Sequence, residues 1–312
     1  MGIDVNAVKF LLHAHNAGAS FDRVLTIGRQ SLLITPHALA VTLRLFGMPV
    51  AGHLISTWFH DDPPYSDALF RFLGATTLHA LDYSPYEGAQ ILHDMNVDVP
   101  EALVGQYSIV IDGGSLEHIF NFPTAVRNCM TMTTLGGHFL AIAPCNNYCG
   151  HGLYQFSPEL YCRLLVPENG FETPRIYIAE DTQWASWFQV VDPALLRRRA
   201  MLINQRPTNL YIIAKRIGSV PIDLSIQQSD YSSVWSDAMR GGANGHSSKV
   251  FGFVSWLQRE TVTVRRIKEL IKVFGYPIMS VIGIRRDLRA FRRIELSVRS
   301  DGNLAQGDKG ER

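Results

Sequence analysis

Apolar and polar positions follow two rhythms along this chain, and the switches between them set the predicted elements. From residue 23 to about 180, short apolar runs ending in Gly or Asp take turns with longer stretches at helical spacing. VLTIG (24–28) reads as a strand. The helix after it is opened by Thr35 as N-cap and Pro36 at the first helical position, has Leu39, Val41, Leu43, Leu45 and Phe46 as its apolar side, and closes at Gly47. TLHAL, running into Asp82, is the second strand, and Tyr86 to Met95 is predicted as helix. YSIVIDGG (107–114) reads as a buried strand with a Gly-rich exit; a helix from Pro123 is expected to end at Gly136-Gly137, with HFLAIAP as the next strand. Ser157-Pro158-Glu159 opens a further helix, and RIYIA (175–179) and NLYIIAK (209–215) are the last strands. Strands alternating with helices predict an α/β fold, a mostly parallel Rossmann-like sheet with helices on both faces. Such sheets bind ligands outside the carboxyl ends of their strands, so the strand exits are where to look for chemistry.

After residue 218 the rhythm changes. MRGGANGHSSK (239–249) has the composition of a loop, and helical periodicity takes over from 250. The expected organisation is a first domain over 1–218 with a candidate lid at 48–76, a linker over 219–249, a basic helical extension over 250–300 and a frayed tail over 301–312. The 312 residues suffice for a sizeable core without a disulfide or metal staple, and 46% hydrophobic with 18% charged residues excludes a wholly disordered chain. No apolar run reaches the roughly 20 residues of a membrane span, and the N-terminal stretch has no basic n-region, so a cytoplasmic protein is expected. Four cysteines clustered in the central third (Cys129, Cys145, Cys149, Cys162) suit a reducing compartment.

Charge adds one feature. The chain has 29 Lys or Arg against 28 Asp or Glu, but residues 258–299 hold eleven of the former and four of the latter. The body is therefore mildly acidic and the tail basic, which excludes a wholesale nucleic-acid coat and leaves room for an anionic partner or acceptor at the extension. From Ile284 onward a helix would place Ile284, Leu288, Phe291 and Ile294 on one side and Arg285, Arg286, Arg289, Arg292 and Arg293 on the other.

The exits carry acids and glycines in order: Gly28-Arg29-Gln30, then Asp82-Tyr83, then Asp94-Met95, then Asp112-Gly113 leading to Glu117-His118. A carboxylate after the second strand can accept both ribose hydroxyls of a nucleoside, and one a strand later the amine of adenine. In this order the chain resembles the class I S-adenosylmethionine-dependent methyltransferase superfamily over about residues 22–216. VLTIG is similar to its first motif, Asp82 to its ribose-binding acid, HDMN to its adenine motif, and YSIVIDGGSLEHIF to its fourth strand and the Glu-His segment after it. The resemblance implies S-adenosylmethionine as cofactor, held by Gly28, Arg29, Gln30, Asp82, Tyr83, Asp94, Met95, Asp112 and Gly113, and an antiparallel strand in the final pair. The family's acid-x-Gly-x-Gly-x-Gly pattern falls here on Thr26, Gly28, Gln30 and Leu32, so one glycine of three is present; Arg29, with its planar fork, is a candidate partner for the methionyl carboxylate.

His118 is the candidate general base and Glu117 its neighbour in the catalytic pair, since an imidazole titrates near working pH. Ser115 capping the next helix is the structural alternative for this turn. His151, Tyr154 and Gln155, in the polar and aromatic loop APCNNYCGHGLYQFSPEL, are the candidate acceptor-binding residues. No metal site is expected, because Cys145, Cys149 and His151 lack a fourth ligand nearby. The expected function is methyl transfer to an oxygen, with nitrogen as second choice, of a small-molecule or sugar-like metabolite. The alternative is a non-catalytic binding or scaffolding subunit of the same fold. A homo-oligomer is compatible with the chain, and no nucleic-acid partner is expected.

Overall fold

The computed structural model describes residues 2–196, 199–232, 235, 285–286 and 289–296. They fall into two compact units, one over 1–190, 207–224 and 293–312, the other over 191–206 and 225–292.

The first unit opens with β1 (Gly2–Ile3) and α1 (Val5–Asn16). Asp4 caps α1 by accepting from the Ala7 N–H, and Val5, Ala7, Val8, Phe10, Leu11, Leu12 and Ala14 are all buried. Lys9, His13 and Asn16, at helical spacing, form its less buried side. Then come β2 (Arg23–Ile27), β3 (Ser31–Leu32), α2 (Pro36–Leu45), α3 (Gly52–Ser56) and α4 (Asp67–Phe72). Thr35 caps α2 by accepting from Ala38 N–H, as expected; Leu39, Leu43 and Phe46 are buried, whereas Val41 and Leu45 face solvent. Further along are β4 (Thr77–Asp82), β5 (Ile91–Leu92), β6 (Tyr107–Asp112), α5 (Phe122–Met132), β7 (Thr133–Asn146), α6 (Pro158–Leu164), β8 (Arg175–Glu180) and β9 (Trp187–Val190). The second unit holds α7 (Pro193–Leu196) and β10 (Leu202–Ile203), and the chain returns to the first as β11 (Thr208–Lys215).

The sheet runs β9-β8-β11-β7-β6-β2-β4-β5. Pairings β5 to β4, β4 to β2, β2 to β6 and β6 to β7 are parallel; β11 is antiparallel to both β7 and β8, so β8 again points with the first five. This strand order over β5 to β8, with the reversed β11 inserted beside β8, is the methyltransferase-like Rossmann architecture; β9, antiparallel to β8, extends it beyond that edge. Val24, Ile109, Ile111, Leu140, Ile142, Tyr211 and Ile213 pack on one face into a core with α1, α2 and α4. The alternate residues Val110, Phe139 and Ala141 are equally buried, and α5 lies against β6 and β7. The crossing of strand order between β2 and β6 puts a crevice at the exits of β2, β4 and β6.

Three expectations are corrected. The helix expected over 86–95 is a turn followed by β5: Gly88, at φ 74°, breaks the helix, and the Gln90 side chain accepts from Ala80 N–H while Ile91-Leu92 joins the open edge of β4. The helix expected to reach Gly136 stops at Met132, because Thr131, Thr133 and Thr134 disfavour it and Gly137 lies so close to β6 that a Cβ would sit 2.8 Å from the Ser108 carbonyl. In place of a basic helix after Ile284, the described residues form β12 (Arg285–Arg286), paired antiparallel with β10, and β13 (Phe291–Ile294). Ile294 and Leu296, two apart, both pack against the first unit's core, a period of two that a helix cannot serve. The part of the expected helical extension over 250–284 and the tail over 301–312 lie outside the described residues.

The candidate lid at 48–76 contains α3 and α4. Its end is stitched to the strand exit, with Ser66 donating from both N–H and Oγ to the Gln30 carbonyl, and Ile55, Leu69 and Phe70 are buried.

Candidate functional site

The exits of β2, β4 and β6 meet at Gly28. This residue ends β2 at φ 71°, the left-handed region, with its N–H donating to the Leu81 carbonyl at 2.7 Å. A Cβ there would stand 3.4 Å from Ser115 Oγ and 3.7 Å from Asp82 Oδ2, which measures how closely the three strand ends converge. Asp82 ends β4, half-buried, with Oδ1 accepting from Ser84 N–H. Tyr83, next to it, is exposed.

Gln30 stands where the family pattern has its second glycine. It is buried, its Nε2 donating to the carbonyls of Ile27 and Gly28, while its Oε1 has no partner. Gly113 admits it: a Cβ on Gly113 would lie 2.4 Å from Gln30 Oε1. Arg29 is already engaged, paired with Asp67 at 2.7 Å, donating to the Glu87 carbonyl and stacked 3.8 Å over the Tyr65 ring. A cavity of about 180 Å³, lined in part by Thr26, Arg29, Gln30, Asp67, His79 and Gln90, runs beside β2 and β4; Glu117, His118 and His151 take no part in it.

Asp94 follows β5. Its Oδ1 accepts from Asn96 N–H and Nδ2, and these hydrogen bonds hold its carboxyl below the usual range. Met95 is buried behind it against Asn128.

Asp112 ends β6 fully buried, with Oδ1 accepting from Ser115 and Leu116 N–H and Oδ2 without a partner. It thereby caps a single 3-10 turn, Leu116–His118, that presents Glu117 and His118. Burial raises the pKa of Asp112, and the charge of Glu117 raises it further; burial likewise raises Glu117. Glu117 is 1% exposed with Oε2 unpartnered. Its carbonyl accepts from Leu153 and Tyr154 N–H, so the loop after β7 is tied directly to the turn after β6. Gly152, at φ 74°, lets that loop cross over the carboxylate, since a Cβ would lie 2.9 Å from Glu117 Cγ.

This tie brings His151 to the Glu-His pair. His151 Nε2 is 3.4 Å and His118 Nε2 3.9 Å from Glu117 Oε1, and the two rings are 5.1 Å apart. Both imidazoles are about half exposed, and burial, then the neighbouring His151, lowers the pKa of His118. A neutral imidazole can accept a proton or ligate a cation. The Tyr148 ring lies tilted beside His151, centroids 5.5 Å apart; its backbone N–H donates to Gln155 Oε1. Tyr154 donates from its hydroxyl to the Phe120 carbonyl, and its ring neighbours Phe122 and Phe156.

The structure thus gathers Gly28, Gln30, Asp82 and Gly113 at one mouth, and Glu117, His118 and His151 in a cluster on the turn that leaves it. Sequence reasoning named each of these residues but missed that His151 joins the Glu-His pair and the part of Tyr148; Ser115, the candidate helix cap, instead donates from Oγ to the Ile27 carbonyl and ties the turn to the β2 exit. Gly152 was the available signal, a glycine inside a polar loop that marks a close approach.

No protein-family model and no curated protein matches the chain. Among solved structures it is similar to the trans-methyltransferase CalH in complex with SAH, at 15% identity and TM-score 0.35 over 69% of this chain and 57% of that one. It is also similar to the 1,6-didemethyltoxoflavin-N1-methyltransferase of Burkholderia thailandensis, with bound 1,6-didemethyltoxoflavin and S-adenosylhomocysteine, at 14%, TM-score 0.35, and 69% and 78% of the two chains. A third is the branched-chain polyamine synthase of Thermus thermophilus with N4-aminopropylspermidine and 5'-methylthioadenosine, at 16%, TM-score 0.35, and 72% and 58%. The chain spans a little over half the length of the first and third. At TM-scores this low, the fold assignment rests on the strand order and directions given above.

Proposed function

We propose that the chain transfers a methyl group from S-adenosylmethionine to an oxygen of a small-molecule or sugar-like acceptor. The observation that carries this reading is the convergence of Gly28, Asp82 and Gly113 at the exits of the first, second and fourth strands of a methyltransferase-ordered sheet. Asp82 accepts from the ribose hydroxyls, Asp94 and Met95 face the adenine, and Tyr83 offers its exposed ring beside them. Gly28, Gln30, Asp112 and Gly113 form the floor under the methionine end, with Arg29 at its edge. The acceptor lies over Glu117 and His118, flanked by His151, Tyr154 and Gln155, and loses its hydroxyl proton there. The oxygen lone pair attacks the methyl carbon, the carbon–sulfur bond breaks with its electron pair going to sulfur, and S-adenosylhomocysteine leaves. Most of the rate comes from holding the two reactants in line.

A second reading, a binding subunit of the same fold without turnover, is favoured by Gln30 filling the space over Gly113 and by Arg29 being occupied by Asp67. Calorimetry with S-adenosylmethionine and S-adenosylhomocysteine tests the main reading. Wild type binds, and Asp82→Ala loses about 1.5 to 3 kcal/mol, the scale of a hydrogen bond to a charged group. No heat with wild type at millimolar ligand rejects methyl transfer; binding without turnover against a panel of hydroxylated acceptors supports the second reading.

A further inference from the structure

We propose that Glu117, His118 and His151 form a binding site for one divalent first-row transition cation of the zinc class. The three ligand atoms, one carboxylate oxygen and two imidazole nitrogens, lie within 4.8 Å of one another, with Glu117 Oε1 at 3.4 and 3.9 Å from the two nitrogens. Donors bound to one zinc at about 2.0–2.2 Å stand some 3.3–3.6 Å apart, so small rotations of two half-exposed rings close the site.

The carboxylate is the fixed member. It is buried, Oε1 faces both imidazoles, and Oε2 has no hydrogen-bond partner, so among the described residues no donor but the two rings meets the carboxylate. A buried carboxylate oxygen without a donor is costly unless a cation or proton meets it. The supporting shell is built as a ligand site requires. Asp112 pins the turn that carries Glu117 and His118, and the Leu153 and Tyr154 N–H groups clamp the His151 loop to the Glu117 carbonyl. Two nitrogens and one oxygen suit zinc, cobalt or manganese better than calcium or magnesium, and three protein ligands leave a fourth position open toward solvent, the pattern of a reactive rather than a structural site.

The ion's task at that open position, which rests on the methyl-transfer reading, is to hold the acceptor's hydroxyl oxygen and lower its pKa. The proton then passes to solvent before the oxygen attacks the methyl carbon.

Equilibrium dialysis of the full chain against zinc chloride, without any nucleoside, is the test, with cobalt(II) as spectroscopic probe. Wild type is expected to hold roughly one ion per chain, with visible cobalt bands of a nitrogen and oxygen site. His151→Ala and His118→Ala are each expected to weaken zinc at least about tenfold, while Cys149→Ser leaves it unchanged. His151 sits in an exposed loop, so its variant keeps the fold, which far-ultraviolet circular dichroism checks. Substoichiometric zinc in wild type, equal affinity in His151→Ala, or a strong sulfur-to-cobalt band placing the ion on Cys145 or Cys149 overturns the proposal. Methyl-donor binding is measured separately on the same protein, so failure of either reading leaves the other visible.

Discussion

At the scale of single residues, the mouth of the sheet is governed by a pair that the family pattern would not contain. Gln30 stands in place of a glycine and closes on Gly113, with its Nε2 tied to two carbonyls of the β2 exit. The two positions should therefore be energetically coupled. Gly113→Ala, whose Cβ would meet Gln30 at 2.4 Å, is expected to cost about 1 to 3 kcal/mol, the range of core overpacking. In a Gln30→Ala background the same change is expected to cost less than about half as much, since the clashing atoms are gone. Urea unfolding of the two single variants and the double variant measures this; strict additivity would show that the backbone at Gly113, rather than Gln30, sets the cost.

Among elements, the junction of α5 and β7 is held by one side chain on the segment after β11. Arg216 is 8% exposed, and its Nη1 donates to the carbonyls of Met130, Thr131 and Thr133, where the helix gives way to the strand. One guanidinium nitrogen gathers the three carbonyls while Nε donates to the Gly218 carbonyl, and the Thr131 carbonyl also accepts from Gly105 N–H. Arg216→Met is expected to destabilise by about 2 to 4 kcal/mol, because buried acceptors are left unmet, and Arg216→Lys to recover only part. Thermal unfolding reads both; a lysine variant as stable as wild type would mean that charge alone, not the fork, caps the helix. The junction also explains a failed expectation. Helical spacing continued past Met132 in the sequence, but the fold needed those residues as the parallel partner of β6 and the antiparallel partner of β11.

For the whole molecule, two histidines work against the fold in acid. Burial, and then the positive charge of Arg175, lowers both His13 on α1 and His138 on β7 to about 4. Below about pH 6.5 the unfolded chain takes up these protons while the native chain does not. The histidines' contribution is therefore complete above about pH 6.5, falls as the pH drops, and stops falling near 4 where the native state protonates too, while the buried carboxyls of Asp112 and Glu117, raised by burial, act in the opposite sense over the same range. Each histidine is expected to contribute on the order of 1 to 3 kcal/mol to that loss. Urea midpoints at pH 7 and pH 5, compared between wild type and a variant lacking one histidine, measure it. His13→Gln, which keeps a donor near the Tyr177 hydroxyl 3.1 Å away, is expected to flatten the slope. An unchanged slope in that variant would place the acid sensitivity elsewhere.

What the sequence by itself determined is local or strictly ordered. The strands ending at Gly28, Asp82 and Asp112 and the caps Thr35 and Ser157 were legible, because caps and buried apolar runs write their signals within a few residues, while the reversed direction of β11 came only from the family resemblance. The acids and glycines of the strand exits were legible for the same reason. Only the tertiary structure decided the rest. Pairing with an open sheet edge made a strand of Ile91-Leu92, and core contacts two residues apart did the same near Ile294. A hydrogen bond between the Glu117 carbonyl and residues 153 and 154, more than thirty positions away, brought His151 to the Glu-His pair. Such contacts depend on which surfaces meet once the sheet is assembled, and no window of sequence records that.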